Sequence, residues 1–232
     1  MTNRKVLKRI RAPFRRVRGI LAMRFGRVGS LKPLSKDWGF SRGTPIDRNY
    51  IQGFLAEHSA DVGGRVLEIG DDNYSRRFGG SRITQQDILH LTGHPQATIV
   101  GDLSKPDVLP KQGFDCIILT QTLHFIFDMA AAIDQLYGAL RPGGVLLVTT
   151  PGISPVGQGE WGPYWCCSLT QTALSRLLSG PFGADKVTLR TYGNLAAATA
   201  YLHAAAVEEV GRRRLARLDP AYPVIVAARA VA

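Results

Sequence analysis

The stretch RVLEIGDDNYSRRFGG, which spans Arg65–Gly80, constrains the fold more than any other part of the chain. Residues 66–69 are apolar except for Glu68, a composition typical of a strand buried inside a parallel sheet. A carboxylate in such a strand is costly unless it is paired or hydrogen-bonded. Gly70 then opens a turn. The pattern is a strand that contains an acid, then a glycine turn, then a helix. In an open α/β sheet this pattern predicts a ligand pocket at the carboxyl end of the first strand.

The remaining chain alternates between predicted strands and helices. After the first strand, apolar runs predict strands at Asp87–Leu91, Ala97–Val100, Phe114–Thr120, Val145–Thr150, Val187–Tyr192 and Tyr222–Ala228. Helical periodicity predicts helices that begin at Thr44-Pro45 and that span Asp128–Leu140, Thr170–Ser179 and Leu195–Val210. Such alternation indicates an α/β fold with a mostly parallel sheet.

VLEIG resembles the first motif of the class I S-adenosylmethionine (SAM) dependent methyltransferases, of the form hydrophobic-hydrophobic-Glu/Asp-hydrophobic-Gly-x-Gly-x-Gly. LRPGG before a hydrophobic strand is also similar to this family, and the likeness spans roughly residues 44–232. The resemblance implies a Rossmann-like, seven-stranded, mostly parallel sheet with helices on both faces and an antiparallel last strand. It also implies SAM as the cofactor and methyl transfer as the reaction. This sequence departs from the motif at residues 71–74, where Asp, Asp, Asn and Tyr replace further glycines.

The resemblance assigns the cofactor to residues around the ends of the predicted strands, namely Glu68, Gly70, Asp71, Asp72, Thr92, Asp102, Leu103 and Gln121. Thr92 stands where the family has an acid that holds the ribose hydroxyls. A threonine hydroxyl offers one hydrogen bond in place of a bidentate, charge-assisted contact, which leaves Asp71 or Asp72 as the alternative. Asp102 followed by Leu103 resembles the element that accepts from the adenine amino group. The alternative is that Asp102 caps a loop.

His124 follows the fourth strand, where the resemblance implies that the acceptor meets the methyl group. Imidazole is a good general base near neutral pH, so His124 is the candidate catalytic residue for a hydroxyl acceptor. The alternative is a histidine that packs beside the cofactor. The loop at 151–169, rich in aromatic residues, favours a lid over the acceptor pocket. The histidines lack further ligands at metal spacing, so no metal site is predicted.

The segments TPIDRNYIQGFL and DCIILTQTLHFIFD resemble bacterial methyltransferases that tailor glycans and natural products. The resemblance implies a glycan or other small-molecule acceptor that is methylated on a hydroxyl oxygen. Two other classes compete with this interpretation. A methyltransferase-fold protein without catalysis would serve as a binding or scaffold partner. An NAD-binding oxidoreductase would need GxGxxG after the first strand, and GDDNYS lacks it.

The net charge of +11 comes mainly from the start of the chain. Residues 1–30 hold ten of the 29 Lys and Arg residues and none of the 18 acids. Apolar residues recur there at spacings of three and four, which predicts an amphipathic helix on an anionic membrane surface; a mobile basic tail is the alternative. Nucleic acid is less favoured because aromatic residues are few. We therefore expect a basic arm at 1–36 and a methyltransferase domain at 37–232. The three cysteines form no disulfide framework, which indicates a cytoplasmic protein, and an arm that lies on a membrane surface would make it membrane-peripheral.

Overall fold

The computed structural model of the chain describes residues 30–157 and 161–232. The predicted amphipathic helix of the arm therefore lies almost wholly outside the described residues. The strands are β1 (Gly64–Ile69), β2 (Ile83–His90), β3 (Ile99–Val100), β4 (Phe114–Thr120), β5 (Leu140–Pro151), β6 (Val187–Tyr192) and β7 (Ile225–Val231). The helices are α1 (Ile46–Glu57), α2 (Asn73–Gly79), α3 (Met129–Ala139), α4 (Gln171–Phe182), α5 (Leu195–Leu202), α6 (Val207–Val210) and α7 (Arg212–Leu215).

The strands form one seven-stranded sheet in the order β3-β2-β1-β4-β5-β7-β6. The pairs β1–β2, β1–β4, β2–β3 and β4–β5 are parallel. β7 runs antiparallel to β5, with register from Val145↔Val231 to Pro151↔Ile225. This arrangement confirms the predicted fold class. Because β1, β2, β4 and β5 are parallel, their carboxyl ends meet at one edge of the sheet.

The core on one face of the sheet is formed by alternate strand residues packed against α3 and α4. In α3, Ile133 and Leu136 are buried, and the helix begins where the Asp128 carboxylate accepts a hydrogen bond from the Ala131 amide at 3.1 Å. In α4, Leu174 and Leu178 lie one turn apart and are buried. The spacing of these residues gives each helix one apolar face, which the sheet covers.

β5 is longer than the sequence predicts. Leu140 already pairs with Phe114, and the next pair in the register is Cys116 with Val145. Residues 141–144, the RPGG segment, therefore bulge out of β5 rather than standing between a helix and a strand. Gly143 has a φ of 80°, a left-handed conformation that suits glycine.

The chain divides into two compact units. Among the described residues, one unit contains Ile51–Gly152, Val156–Thr191 and Ile225–Ala232, and the other contains residues 30–50, Ile153–Pro155 and Tyr192–Val224. In the second unit the predicted helix Leu195–Val210 is broken, since α5 ends at Leu202 and α6 begins at Val207.

The break in that helix has a tertiary cause. Pro45 forms an antiparallel bridge with Ala206, and the Val207 amide donates to the Thr44 carbonyl at 2.8 Å. These bonds draw residues 203–206 out of the helix, and Ala204 takes a φ of 54°. No helix in the described part of the chain is long and apolar enough to cross a bilayer.

Candidate functional site

The turn after β1 is built around Gly70. Its φ is 92°, and its amide donates to the Leu89 carbonyl at 3.0 Å, which fixes the turn to the end of β2. A Cβ placed on Gly70 would have no atom within 4 Å. Glycine is therefore required by the backbone conformation rather than by crowding, and it leaves open space at the edge of the sheet.

Glu68, in the strand before this turn, holds the turn in place through hydrogen bonds. Its side chain is buried, and its two carboxylate oxygens accept hydrogen bonds from the amides of Tyr74, at 3.1 Å, and Ser75, at 2.7 Å. Burial raises the pKa of Glu68 to about 7, although these hydrogen bonds oppose the shift. The structure thus places the Glu68 carboxyl group against the first turn of α2, where it holds the helix to the end of β1.

The two acids after Gly70 bond locally. Asp71 is exposed and accepts from the Asn73 amide at 3.0 Å, while Asp72 forms an ion pair with Arg76. Both carboxylates stand beside the glycine turn, as the sequence predicts. The bond to Arg76 turns the Asp72 carboxylate toward α2.

At the carboxyl end of β2 the structure places His90 next to the β1 turn. The His90 Nε2 atom is hydrogen-bonded to the Gly70 carbonyl, and its ring stacks on His94 with centroids 4.2 Å apart. Thr92 lies two residues beyond the strand and is exposed. The sequence predicts the end of β2 at Leu91, whereas the strand ends at His90, whose bond to Gly70 gives this histidine a structural role.

Asp102 follows β3 and shapes its own loop. Its Oδ1 atom accepts from the amide and the hydroxyl of Ser104, at 2.9 and 2.8 Å, and these bonds lower the pKa of Asp102. Leu103 is buried in the core, so only its backbone could meet a ligand. Gln135 of α3, which sequence reasoning missed, donates to the Leu103 carbonyl at 2.7 Å and accepts from the Val108 amide at 2.8 Å. It therefore anchors this loop to the core.

Gln121 begins the segment after β4. It has a φ of 48°, which is uncommon for a residue other than glycine, and its amide donates to the Thr149 carbonyl at 2.9 Å. In the described part of the chain, the buried Gln121 Nε2 atom and the buried hydroxyls of Thr149 and Thr150 have no hydrogen-bond partner. Buried polar groups are nearly always bonded, so these atoms mark places where a ligand or water completes the structure.

His124 lies in the short 3₁₀ helix Leu123–Phe125, directly after this segment. The imidazole is only 1% exposed, with ring centroids 3.9 Å from Phe125 and 4.3 Å from Trp165. The Cys166 amide donates to the His124 carbonyl at 2.9 Å, which fastens the aromatic segment to the end of β4. The structure therefore buries the predicted base beneath aromatic side chains.

The segment that covers His124 also presents aromatic rings to solvent. Trp161 and Tyr164 are 52% and 55% exposed, and the Trp161 ring lies 5.7 Å from the Phe125 ring. The predicted lid is thus an irregular segment whose aromatic side chains continue from the buried His124 to the surface. No group of three or more metal-ligating side chains occurs within residues 30–157 and 161–232.

These features suit a nucleoside ligand with several hydrogen-bonding groups. Gly70 leaves open space at the end of β1, and the side-chain Nε2 atom of Gln121 is a buried donor without a hydrogen-bond partner among the described residues. Asp102 and the backbone of Leu103 stand at the end of β3. The donors and acceptors present at this edge therefore fit the polar groups of SAM.

The family model described as methyltransferase domain matches residues 28–181, and the chain belongs to that family. The Mycolicibacterium smegmatis protein named probable S-adenosylmethionine-dependent methyltransferase is 28% identical over 130 residues, which cover 55% of this chain and 46% of that protein. The highly reducing polyketide synthase stpks1 of Strobilurus tenacellus is 28% identical over 124 residues, 46% of this chain and 4% of the synthase. The chain thus spans less than half the length of these relatives.

A solved structure shares the fold. The N-methyltransferase NodS from Bradyrhizobium japonicum WM9, in complex with S-adenosyl-L-homocysteine, superposes with a TM-score of 0.51 at 14% identity, covering 81% of this chain and 88% of that one. The family match and the similarity to the Mycolicibacterium smegmatis protein identify a SAM-dependent methyltransferase domain, with SAM as its cofactor, and the strand order gives it the class I fold.

Proposed function

We propose that this methyltransferase acts on a hydroxyl group of a small-molecule or glycan acceptor, of the kind met in natural-product tailoring. The observation that carries the proposal is the position of His124, directly after β4 and beneath Phe125 and Trp165. The likeness to part of a polyketide synthase supports a natural-product acceptor.

The residues at the sheet edge have different roles in binding the cofactor and in catalysis. Glu68 and Gly70 shape the turn that borders the cofactor, and Asp102, the Leu103 backbone and Gln121 offer it hydrogen bonds. When bound, SAM supplies a methyl group carried by a positively charged sulfur, and this sulfur is the leaving group when an acceptor oxygen attacks the methyl carbon in line. His124 takes the proton of the acceptor hydroxyl onto its imidazole as that oxygen attacks.

The aromatic segment controls access to this base. Because the imidazole is buried, Trp165 must move aside before an acceptor hydroxyl can reach it. Once the acceptor is bound, Trp161, Tyr164 and Trp165 exclude water and orient the acceptor, and orientation supplies much of the acceleration of a displacement step.

The test is His124→Ala, assayed with methyl-labelled SAM and a small-molecule extract of cells that lack this protein. We expect turnover to fall by about 10²–10⁴ while SAM affinity, measured by calorimetry, is kept. The rate of the unaltered protein should rise with pH through the range in which histidine loses its proton. His203→Ala is the matched control, because His203 directly follows α5, in the unit that contains none of the site residues described above.

Two results would contradict the role of His124. An active variant with a flat pH profile would indicate a nitrogen acceptor or catalysis by positioning alone. A variant that loses SAM binding and activity together would make His124 a residue that packs beside the cofactor.

A further inference from the structure

A cluster of arginines occupies one turn of the second compact unit. Residues 211–218, GRRRLARL, which we call the arginine turn, contain α7 and the residues that flank it. Arg212, Arg213, Arg214 and Arg217 are all exposed. The turn therefore brings four cations to the surface within six positions of the chain.

The backbone of the arginine turn is firmly held. Leu215 is buried, and its carbonyl accepts from the Tyr50 hydroxyl at 3.0 Å. The Asn194 side-chain amide donates to the carbonyls of both Arg214, at 2.8 Å, and Arg217. The arginine side chains thus project from a fixed support rather than from a loose loop.

The charge of this turn is not neutralised locally. Elsewhere, arginines form ion pairs within the fold, at Arg42, Arg65, Arg76, Arg141, Arg190 and Arg229. Within residues 30–157 and 161–232, no ion pair forms at Arg213, Arg214 or Arg217, while Arg212 donates to the Asn49 side chain at 3.3 Å.

Three acids lie close to the turn along the chain. Glu209 is paired with Arg42, whereas Glu208 accepts from the amide and hydroxyl of Thr44 and Asp219 accepts from the Ala221 amide, so these two keep their charge. Four arginines outnumber these two acids, and this segment of the chain therefore carries a net positive charge.

Two exposed leucines lie next to the arginines. Leu195 is 58% exposed and directly follows Asn194, whose side chain holds the arginine turn; Leu218 is 41% exposed and directly follows Arg217. Exposed leucines have no use in contacts with phosphodiester backbones, but they can enter the boundary between lipid headgroups and acyl chains. The combination distinguishes this surface from one that is only basic.

We propose that the arginine turn, with Leu195 and Leu218, is a docking surface for an anionic lipid membrane. The arginines contact lipid phosphate groups, each with several donors that suit phosphate oxygens, and the leucines insert beside them. The proposed surface contains no residue of the basic arm at 1–30 and none of the residues assigned to methyl transfer, and it does not depend on the identity of the acceptor.

The test compares variants of the full chain in co-sedimentation with vesicles of phosphatidylcholine alone and of phosphatidylcholine mixed with phosphatidylglycerol. We expect R213E/R214E/R217E to reduce partitioning onto the anionic vesicles by at least about tenfold, because each cation contributes substantially at such a surface. The matched control is K111E/R176E/K186E, which makes the same charge change at exposed positions in the other unit. L195S/L218S should weaken binding several-fold without changing net charge. Circular dichroism and thermal melting check that each variant is folded.

The outcomes separate the possibilities. Loss of binding in the arginine-turn variant but not in the control supports the proposal, as does a loss in the leucine variant. Equal partitioning of the two charge variants overturns it, because net charge or the arm would then account for binding. Binding of a short single-stranded RNA is measured for the same variants. If R213E/R214E/R217E loses RNA binding but keeps its vesicle binding, the proposal is overturned and the arginine turn is a nucleic-acid surface.

Discussion

Replacing Glu68 by glutamine tests how the first turn of the site is held. In the native protein each carboxylate oxygen accepts one amide hydrogen, from Tyr74 and from Ser75. Glutamine keeps one oxygen and places an NH₂ group opposite the other amide. A buried N–H group then loses its acceptor, which costs about 1–3 kcal/mol of unfolding free energy. SAM affinity should fall as well, because the glycine turn and α2 are no longer fastened together.

The pH dependence gives a sharper test than the loss of stability. Burial raises the pKa of Glu68 from 4.5 to about 7, so between these values the folded protein keeps a proton that the unfolded chain has released. The unfolding free energy contributed by Glu68 is therefore complete below pH 4.5, falls as the pH rises to about 7 and is level above it. The full change is on the order of 3 kcal/mol. Glutamine does not titrate, so the variant loses this dependence.

Urea denaturation at closely spaced pH values measures both effects. The difference in unfolding free energy between the native protein and Glu68→Gln removes the contribution of groups that titrate in both. Glu57→Gln is the control, because Glu57 forms a partly exposed ion pair with Arg190 and should cost at most about 1 kcal/mol. If the native protein gains stability relative to Glu68→Gln between pH 4.5 and 7, the two amide hydrogen bonds outweigh burial and the reasoning is refuted.

The remaining predictions concern the glycine turn, the adenine contact and the arm. Gly70→Ala should destabilise the protein by about 1–2 kcal/mol, because the φ of 92° at this position strains any residue with a side chain. Gly138→Ala within α3 should instead stabilise the protein by about 0.5–1 kcal/mol, because alanine favours the helix and has open space there. Thermal melting compares the two variants, and equal effects would contradict the role of φ. Asp102→Ala should weaken SAM binding in calorimetry by about 1–3 kcal/mol if its carboxylate accepts from adenine, and unchanged affinity would leave it as a loop cap. Removal of residues 1–30 should reduce co-sedimentation with anionic vesicles, each cation contributing up to about 1 kcal/mol, and equal binding of the shortened chain would exclude a role for the arm.

The sequence determined the elements whose pattern is local. β4 and β6 have the predicted bounds, and α1, α3 and α4 begin within two residues of their predicted starts, because helix caps and apolar spacing are read within a few residues. The glycine turn at Gly70 was also predictable, since an apolar strand followed by glycine and acids has few other conformations. The family resemblance then supplied a seven-stranded, mostly parallel sheet with an antiparallel last strand, which the structure confirms.

Contacts between distant residues were decided only by the tertiary structure. The pairing of Leu140 with Phe114 made RPGG a bulge of β5, and the bridge from Pro45 to Ala206 broke a helix that local propensity favoured. The same holds at the site, where the register of β1 and β2 set His90 against Gly70. Periodicity shows which residues are buried, but a hydrogen-bond partner far along the chain depends on strand register and loop path. These are set by packing of the whole fold rather than by any single segment.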